Sequence, residues 1–345
     1  MTLPPLPTQP SGVAWPTQAW PEGEAPKAAA RAARARLDYA FGPDSLAELG
    51  ETHAVVVIQG GRLIAERYAA GYGPDQTYPS WSMAKSITQA LAGILVGDGR
   101  LDIHAPAGAP EWAGADDPRG AITLDLLLRM SSGLKFVEDY VPEHPSDVIT
   151  MLFGEGQADV AHFAADQPLA HPPGRFWSYS SGTTNIVSRA LSRATEAYGA
   201  DFEAFMRERL FDPIGMASAT PKFDAAGTFI GSSFCFCTAR DFARFGLLYL
   251  RDGVWEGRRI LPAGWVDYAR TPTWQQPTDE GAYGAHWWLG AAGDGSFSAN
   301  GYQGQYTAVI PDLDMVIVRH GNSPLALQPN AKAWVGALAQ TFREA

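Results

Sequence analysis

Cysteine is almost absent from this chain of 345 residues: there are two, Cys235 and Cys237, in the run "FCFC". Residues two apart on a strand share a face but are held about 7 Å apart, too far for an easy disulfide. No histidine cluster accompanies them, so a zinc site is not indicated and they read as two small packed hydrophobes. Positive charge is in deficit. Lys and Arg total 26 against 37 Asp and Glu, a formal net charge of −11. Nucleic-acid binding rests on clustered basic residues, so that class is excluded, as is attachment to an anionic membrane surface. Long hydrophobic runs are missing, since "LAGILV" at 91–96 falls far short of a membrane span. The opening "MTLPPLPTQPSGVAWP" has no basic segment and no apolar one of the kind that directs secretion, so a cytoplasmic location is expected. There is no G-x-S-x-G and no H-E-x-x-H, and the seven histidines lie scattered without metal-ligand spacing. Neither a nucleophile elbow nor a metal centre is indicated, and no cofactor is expected.

Aromatic residues are plentiful. Eleven Trp, 12 Tyr and 16 Phe can furnish both a large core and an aromatic-lined cleft. Residues 1–26 are Pro-rich and irregular, an arm or tail. "APKAAARAARARLDYAF" (25–41) has helical spacing. "HAVVVIQGGRLIAERYAAGY" (53–72) reads as a hairpin: a β-branched run, a Gly-Gly turn and a second run. From Ser82 the pattern turns helical, with Ile87, Leu91, Ile94 and Leu95 in register until "GDGR" stops it. Shorter helices are expected at 122–134, after the turn and aromatic loop within 171–199, at 201–216, and at 238–253 with Thr238 as N-cap. Strand signals return at 283–290, 304–311 and 315–321, and a helix closes the chain at 330–345.

Strands at both ends are most economically joined in one antiparallel sheet. The expected class is α+β. A sheet domain (27–80 and 281–345) would carry the terminal helices on one face. A mainly helical insertion (81–280) would cover the other, with a cleft between them.

The chemistry centres on "WSMAKS", which sets Ser82 and Lys85 one helical turn apart. A serine at a helix start has backbone N–H groups available to an oxyanion, and Lys85 on the same face can reach its Oγ. Lysine serves as a base when burial or neighbouring cations lower its pKa. The bland alternative is an N-cap serine beside a snorkelling lysine. The spacing recurs in "SGLK", Ser132 and Lys135, where Gly133 places the pair across a turn. In "WSYSSGTTN", Tyr179 follows a Pro-Gly turn and precedes a helix, so its phenol can project into a cleft and relay a proton. It can equally be a packed aromatic. In "SANGYQGQY", Gly301 and Gly304 permit close approach of the backbone, and the N–H groups of Tyr302 and Ser82 can form an oxyanion hole. A bulged hairpin turn is the other reading. A Ser–His arrangement through His286 or His320 also stays open.

The order of these three stretches resembles the penicillin-recognising serine hydrolase superfamily: S-x-x-K, then Tyr-x-Asn or Tyr-x-Ser, then a Gly-containing strand motif. From about residue 50 onward, "ITLDLLLRMSSGL", "PPGRFWSYSSGTTNIVSRAL", "LFDPIGM" and "TARDFARFGLLYL" resemble its class C-like branch. That branch holds class C β-lactamases, family VIII carboxylesterases and 6-aminohexanoate-dimer hydrolases; "YSS" and "GYQGQY" look closest to the last of these and related esterases. The resemblance implies a β-lactamase-like fold. It makes Ser82 the acylated nucleophile, Lys85 its base or base partner and Tyr179 the proton shuttle, with Ser82 and Tyr302 N–H groups as the oxyanion hole. It offers Tyr140, in "FVEDYVPEHPSD", as a tyrosine assisting amide turnover. Tyr140, Ser181, Gly301 and Gln305 are expected to bind substrate. Two departures stand out. Class C β-lactamases carry Asn where this chain has Ser181, and Lys, which helps hold the β-lactam carboxylate, where it has Ala299.

The expected activity is therefore hydrolysis of small carboxylic esters or linear amides resembling 6-aminohexanoate oligomers. Alternatives are a weak β-lactamase or D-amino peptidase activity, or a catalytically silent binding protein of the same fold. The expected partner is a small-molecule ester or amide. No nucleic acid and no membrane are expected, and a homodimer stays open.

Overall fold

The computed structural model describes residues 3–140, 146–273 and 281–344. Its main sheet has seven antiparallel strands: β1 (Glu51–Gln59), β2 (Arg62–Tyr68), β3 (Ala282–Tyr283), β4 (Trp288–Leu289), β5 (Phe297–Gly301), β6 (Gln305–Ile310) and β7 (Met315–Asn322). Their spatial order is β2-β1-β7-β6-β5-β4-β3. The N-terminal and C-terminal strands meet at β1 and β7, paired from Glu51↔Asn322 to Gln59↔Met315. Gly60 and Gly61 join β1 to β2 with φ of +57° and +71°. A two-residue hairpin turn with left-handed backbone at both positions strongly favours glycine.

The longer helices are α1 (Lys27–Ala40), α2 (Ala84–Gly97), α3 (Ser181–Thr195), α4 (Ala239–Leu250) and α5 (Gln328–Arg343). Strand β1 is apolar on both faces, as a covered sheet requires. Val55 and Val57 face α1 and α5 and share a core with Ala29, Leu37, Val335 and Leu338. Ala54, Val56 and Ile58 share the opposite core with Phe242 and Phe245 of α4. The period of two along the strand thus sorts its side chains between two cores. The fold is the α+β arrangement expected, with terminal helices on one face and the long insertion on the other.

Three local expectations differ. The strand expected at 283–290 is two short strands, β3 and β4, because the chain reverses at Gly284–Trp287 with His286 at φ +56°. The helix expected from Ser82 starts at Ala84, and Trp81–Met83 form a 3-10 turn ahead of it. The helix expected over 122–134 is confined to Leu124–Leu128, capped by Thr123. It ends before Met130 takes φ +58°, three residues ahead of the expected stop at Gly133. Over Cys235–Thr238 the two cysteines are buried and unbridged, Sγ to Sγ 3.8 Å, in keeping with packed hydrophobes.

Candidate active site

The 3-10 turn that carries Ser82 is held in an unusual backbone. Trp81, immediately before it, has φ +43°. A non-glycine residue there costs about 1–3 kcal/mol and persists only when its surroundings over-determine it. Its indole donates to Gln303 Oε1 at 3.3 Å, and its ring packs on Phe234 and Tyr302. Gly301, at the end of β5, presses on the same turn: a Cβ there would lie 2.4 Å from the Ser80 carbonyl oxygen. The third sequence stretch therefore meets the first by backbone-to-backbone packing. Gly301 is expected to approach substrate. It does line the cavity, but its lack of a side chain is required by the Ser80 carbonyl.

Lys85, in the first turn of α2, is buried and lies beside Ser82. Its Nζ donates to Ser82 Oγ at 3.0 Å, Ser181 Oγ at 2.9 Å and the Ser232 carbonyl at 2.9 Å. Burial pushes the amine down from 10.5 to about 8, against an opposing pull from the Glu138 carboxylate. Tyr179 stands just ahead of α3, whose N-cap Ser180 accepts a hydrogen bond from the Thr183 N–H. Lys85 Nζ lies 4.8 Å from the centre of the Tyr179 ring. The ring is wedged among Trp177, Tyr283 and Trp288.

A cavity of about 460 Å³ opens over these groups, lined by Ser82, Glu138, Tyr140, Tyr179, Trp288 and Tyr302 among others. Tyr140 stacks on Tyr302, ring centres 4.7 Å apart, and donates to Glu138 Oε1 at 2.7 Å. Burial first, then the Glu138 charge, pushes the Tyr140 phenol well above its usual range.

Two expected substrate-binding residues are placed elsewhere. Ser181 is buried outside the cavity wall, bonded to Lys85 on one side and Glu138 on the other. Gln305 is also buried. Its amide donates to Gly321, Tyr302 and Gln303 carbonyls, and its Oε1 faces the Gly321 N–H and His320 Nδ1. Gln305 is a brace for the 301–305 turn rather than a cavity residue, because its head has been consumed by backbone groups. Ser132 is buried and accepts the Leu134 N–H, whereas Lys135 is exposed. The second S-x-x-K does not assemble. His286 has its ring nitrogens against the Leu128 carbonyl and Thr184 Oγ1, and burial drives its pKa down to about 3. His320 stacks on Tyr78, has Phe242 tilted against it, and is also held far below its usual range by burial. Neither is arranged as a base for Ser82.

Sequence reading missed Glu138 and Arg319. Glu138 accepts the Ser181 N–H at 2.7 Å and the Ser181 hydroxyl at 2.6 Å. Arg319, fully buried on β7, donates to the Gly304 carbonyl at 2.6 Å and so braces the 301–305 turn. Its other end reaches Thr52 and Ser323, and burial lowers its pKa to about 10. The "VED" before Tyr140 was a usable signal for Glu138; an arginine in an apolar strand was one for Arg319.

Similarity to known proteins agrees with this geometry. Residues 47–341 match the Beta-lactamase family. The 6-aminohexanoate-dimer hydrolase of Paenarthrobacter ureafaciens is 30% identical over 318 residues, covering 85% of this chain and 78% of that protein. The solved structure of a candidate 6-aminohexanoate-dimer hydrolase from Bacillus anthracis superposes with a TM-score of 0.76 at 21% identity, covering 99% of this chain and 92% of that one. A penicillin-binding protein homologue from Caulobacter crescentus gives 0.68 at 17% identity over 92% and 99%. At these identities the two structures speak for the fold alone.

Proposed function

The chain belongs to the β-lactamase family, and we propose that it hydrolyses small carboxylic esters or linear amides of the 6-aminohexanoate-oligomer type through an acyl-enzyme on Ser82. One observation carries the reading: a buried lysine, its pKa lowered to about 8, hydrogen-bonded at 3.0 Å to a serine that lines an aromatic cavity. The neutral Lys85 amine takes the Ser82 proton as Oγ attacks the carbonyl carbon. Negative charge on the carbonyl oxygen is received by the backbone N–H groups of Ser82 and Tyr302. Tyr179 passes the proton that Lys85 took from Ser82 on to the leaving oxygen or nitrogen, which returns Lys85 to the neutral amine, and water then attacks the ester on Ser82 by the reverse route.

Ester or linear amide is preferred to β-lactam because Ala299, buried in the core, offers no cation for a ring-borne carboxylate. The aromatic walls, Tyr140, Tyr179, Trp288 and Tyr302, suit an extended chain with apolar methylenes. The 6-aminohexanoate part of the reading is supported by the Paenarthrobacter relative. The test compares Ser82→Ala with Ser132→Ala on p-nitrophenyl acetate and on linear 6-aminohexanoate dimer. Loss of turnover in the first alone is expected; loss only in the second contradicts the assignment.

A further inference from the structure

An ammonium has three N–H bonds, and Lys85 Nζ has three acceptors around it: Ser82 Oγ, Ser181 Oγ and the Ser232 carbonyl. A base must first be neutral. A neutral amine keeps two N–H bonds and gains one lone pair, so one of the three contacts has to reverse. The Ser232 carbonyl has no proton to give. Either serine hydroxyl can give one, and only Ser82 lines the cavity.

Glu138 decides between them. Its Oε1 lies 2.6 Å from Ser181 Oγ, and an ionised carboxylate can only accept, so the single Ser181 proton is committed to it. Its Oε2 takes the Ser181 N–H at 2.7 Å, so the two oxygens clasp Ser181 and turn its lone pair toward Lys85. Tyr140 donates to Oε1 at 2.7 Å, which holds the carboxylate in that pose.

We propose that Glu138 is a positioning residue that holds the Ser181 proton, leaving Ser82 as the serine that hands its proton to Lys85. This rests on the reading of Ser82 as nucleophile. When the substrate arrives, the Ser82 O–H bond breaks, an N–H bond forms on Lys85, and the freed electron pair on Oγ makes the bond to carbonyl carbon. Glu138 and Ser181 keep their shared proton throughout. Without the carboxylate the Ser181 hydroxyl can turn to Lys85 and occupy the lone pair that the nucleophile needs. Glutamine cannot replace it: an amide set against one N–H and two hydroxyls must present its own donor to at least one of them.

The test begins with fluorophosphonate labelling of the wild-type enzyme. If Ser82 is not labelled, the nucleophile reading itself fails. With Ser82 labelled, kcat and KM on p-nitrophenyl acetate are measured for Glu138→Gln, Ser181→Ala and the double variant, each checked for folding by its melting curve. Glu138→Gln is expected to lower kcat roughly 10- to 100-fold with KM within about 2-fold. Ser181→Ala removes the competing hydroxyl along with one hydrogen bond to Lys85, and is expected to cost about 5-fold. The double variant is expected to stay near the Ser181→Ala level, a rescue relative to Glu138→Gln. A Glu138→Gln enzyme within about 3-fold of wild-type kcat overturns the proposal. So does a double variant as slow as Glu138→Gln, since a carboxylate acting only as a helix cap gives no rescue. Should the glutamine variants not fold, Glu138→Asp, which withdraws the carboxylate by one methylene, replaces them with the same order of rates expected.

Discussion

In the proposed mechanism the chemistry turns on Lys85. Its buried amine has a pKa brought down to about 8, and only its neutral form can accept the Ser82 proton. The sign follows directly: below about pH 8 the amine is an ammonium and cannot act as base, and above it the amine is free. kcat/KM is expected to rise about tenfold per pH unit below this value and level off above it, with Lys85→Ala nearly inactive throughout. A pH–rate profile checks it; a rate flat from pH 6 to 9 would contradict the role. At this scale the sequence was half legible. Ser82, Lys85 and Tyr179, which the structure brings together, could be singled out because helix periodicity and motif spacing are local. Glu138 was missed because its meaning lies in Ser181, which is 43 residues away in the chain. Gln305 and Ser181 were misread because a polar side chain beside a motif gives no sign of whether water or backbone will claim it.

Elements position these residues through their ends. The turn bearing Ser82 abuts the end of β5, and Gly301 has no room for a methyl group against the Ser80 carbonyl. Gly301→Ala is expected to push the two apart, lowering kcat more than tenfold and the melting temperature together; unchanged kinetics would mean that the turn tolerates displacement. Farther away, Thr238 accepts the Asp241 N–H at the start of α4. Thr238→Ala is expected to cost about 1 kcal/mol in urea unfolding and leave KM unaltered. The Thr238 cap and the Gly-Gly hairpin were legible because their chemistry is contained within a few residues. The split of 283–290 was not, since an apolar run carries no mark of His286 in left-handed backbone.

The whole molecule is a sheet closed by both ends of the chain, with a further band of chain, residues 4–16, held against Arg244 of α4, Arg251 just after it and Arg270. Three buried arginines hold that band: Arg270 donates to the Pro4 carbonyl, Arg251 to the Pro7 carbonyl and Gln9, and Arg244 to the Pro16 carbonyl. Hydrogen bonds from charged groups contribute about 1.5–3 kcal/mol each, offset where the freed guanidinium regains water. Removal of residues 1–20 is expected to destabilise the protein by at least about 3 kcal/mol in urea unfolding, and an unchanged midpoint would show the band to be passive. That the two ends share a sheet was legible from strands near both termini. The arginine clasp was not, because no local pattern pairs residue 4 with residue 270.

The proposed mechanism requires that Ser82 become acylated. It is tested most directly by trapping the enzyme with a fluorophosphonate or a slowly deacylating ester and locating the adduct by peptide mass spectrometry. A single stoichiometric adduct on Ser82 is expected, absent from Ser82→Ala and formed far more slowly in Lys85→Ala. An adduct on Ser132 or any other residue, or full-rate labelling without Lys85, would contradict it.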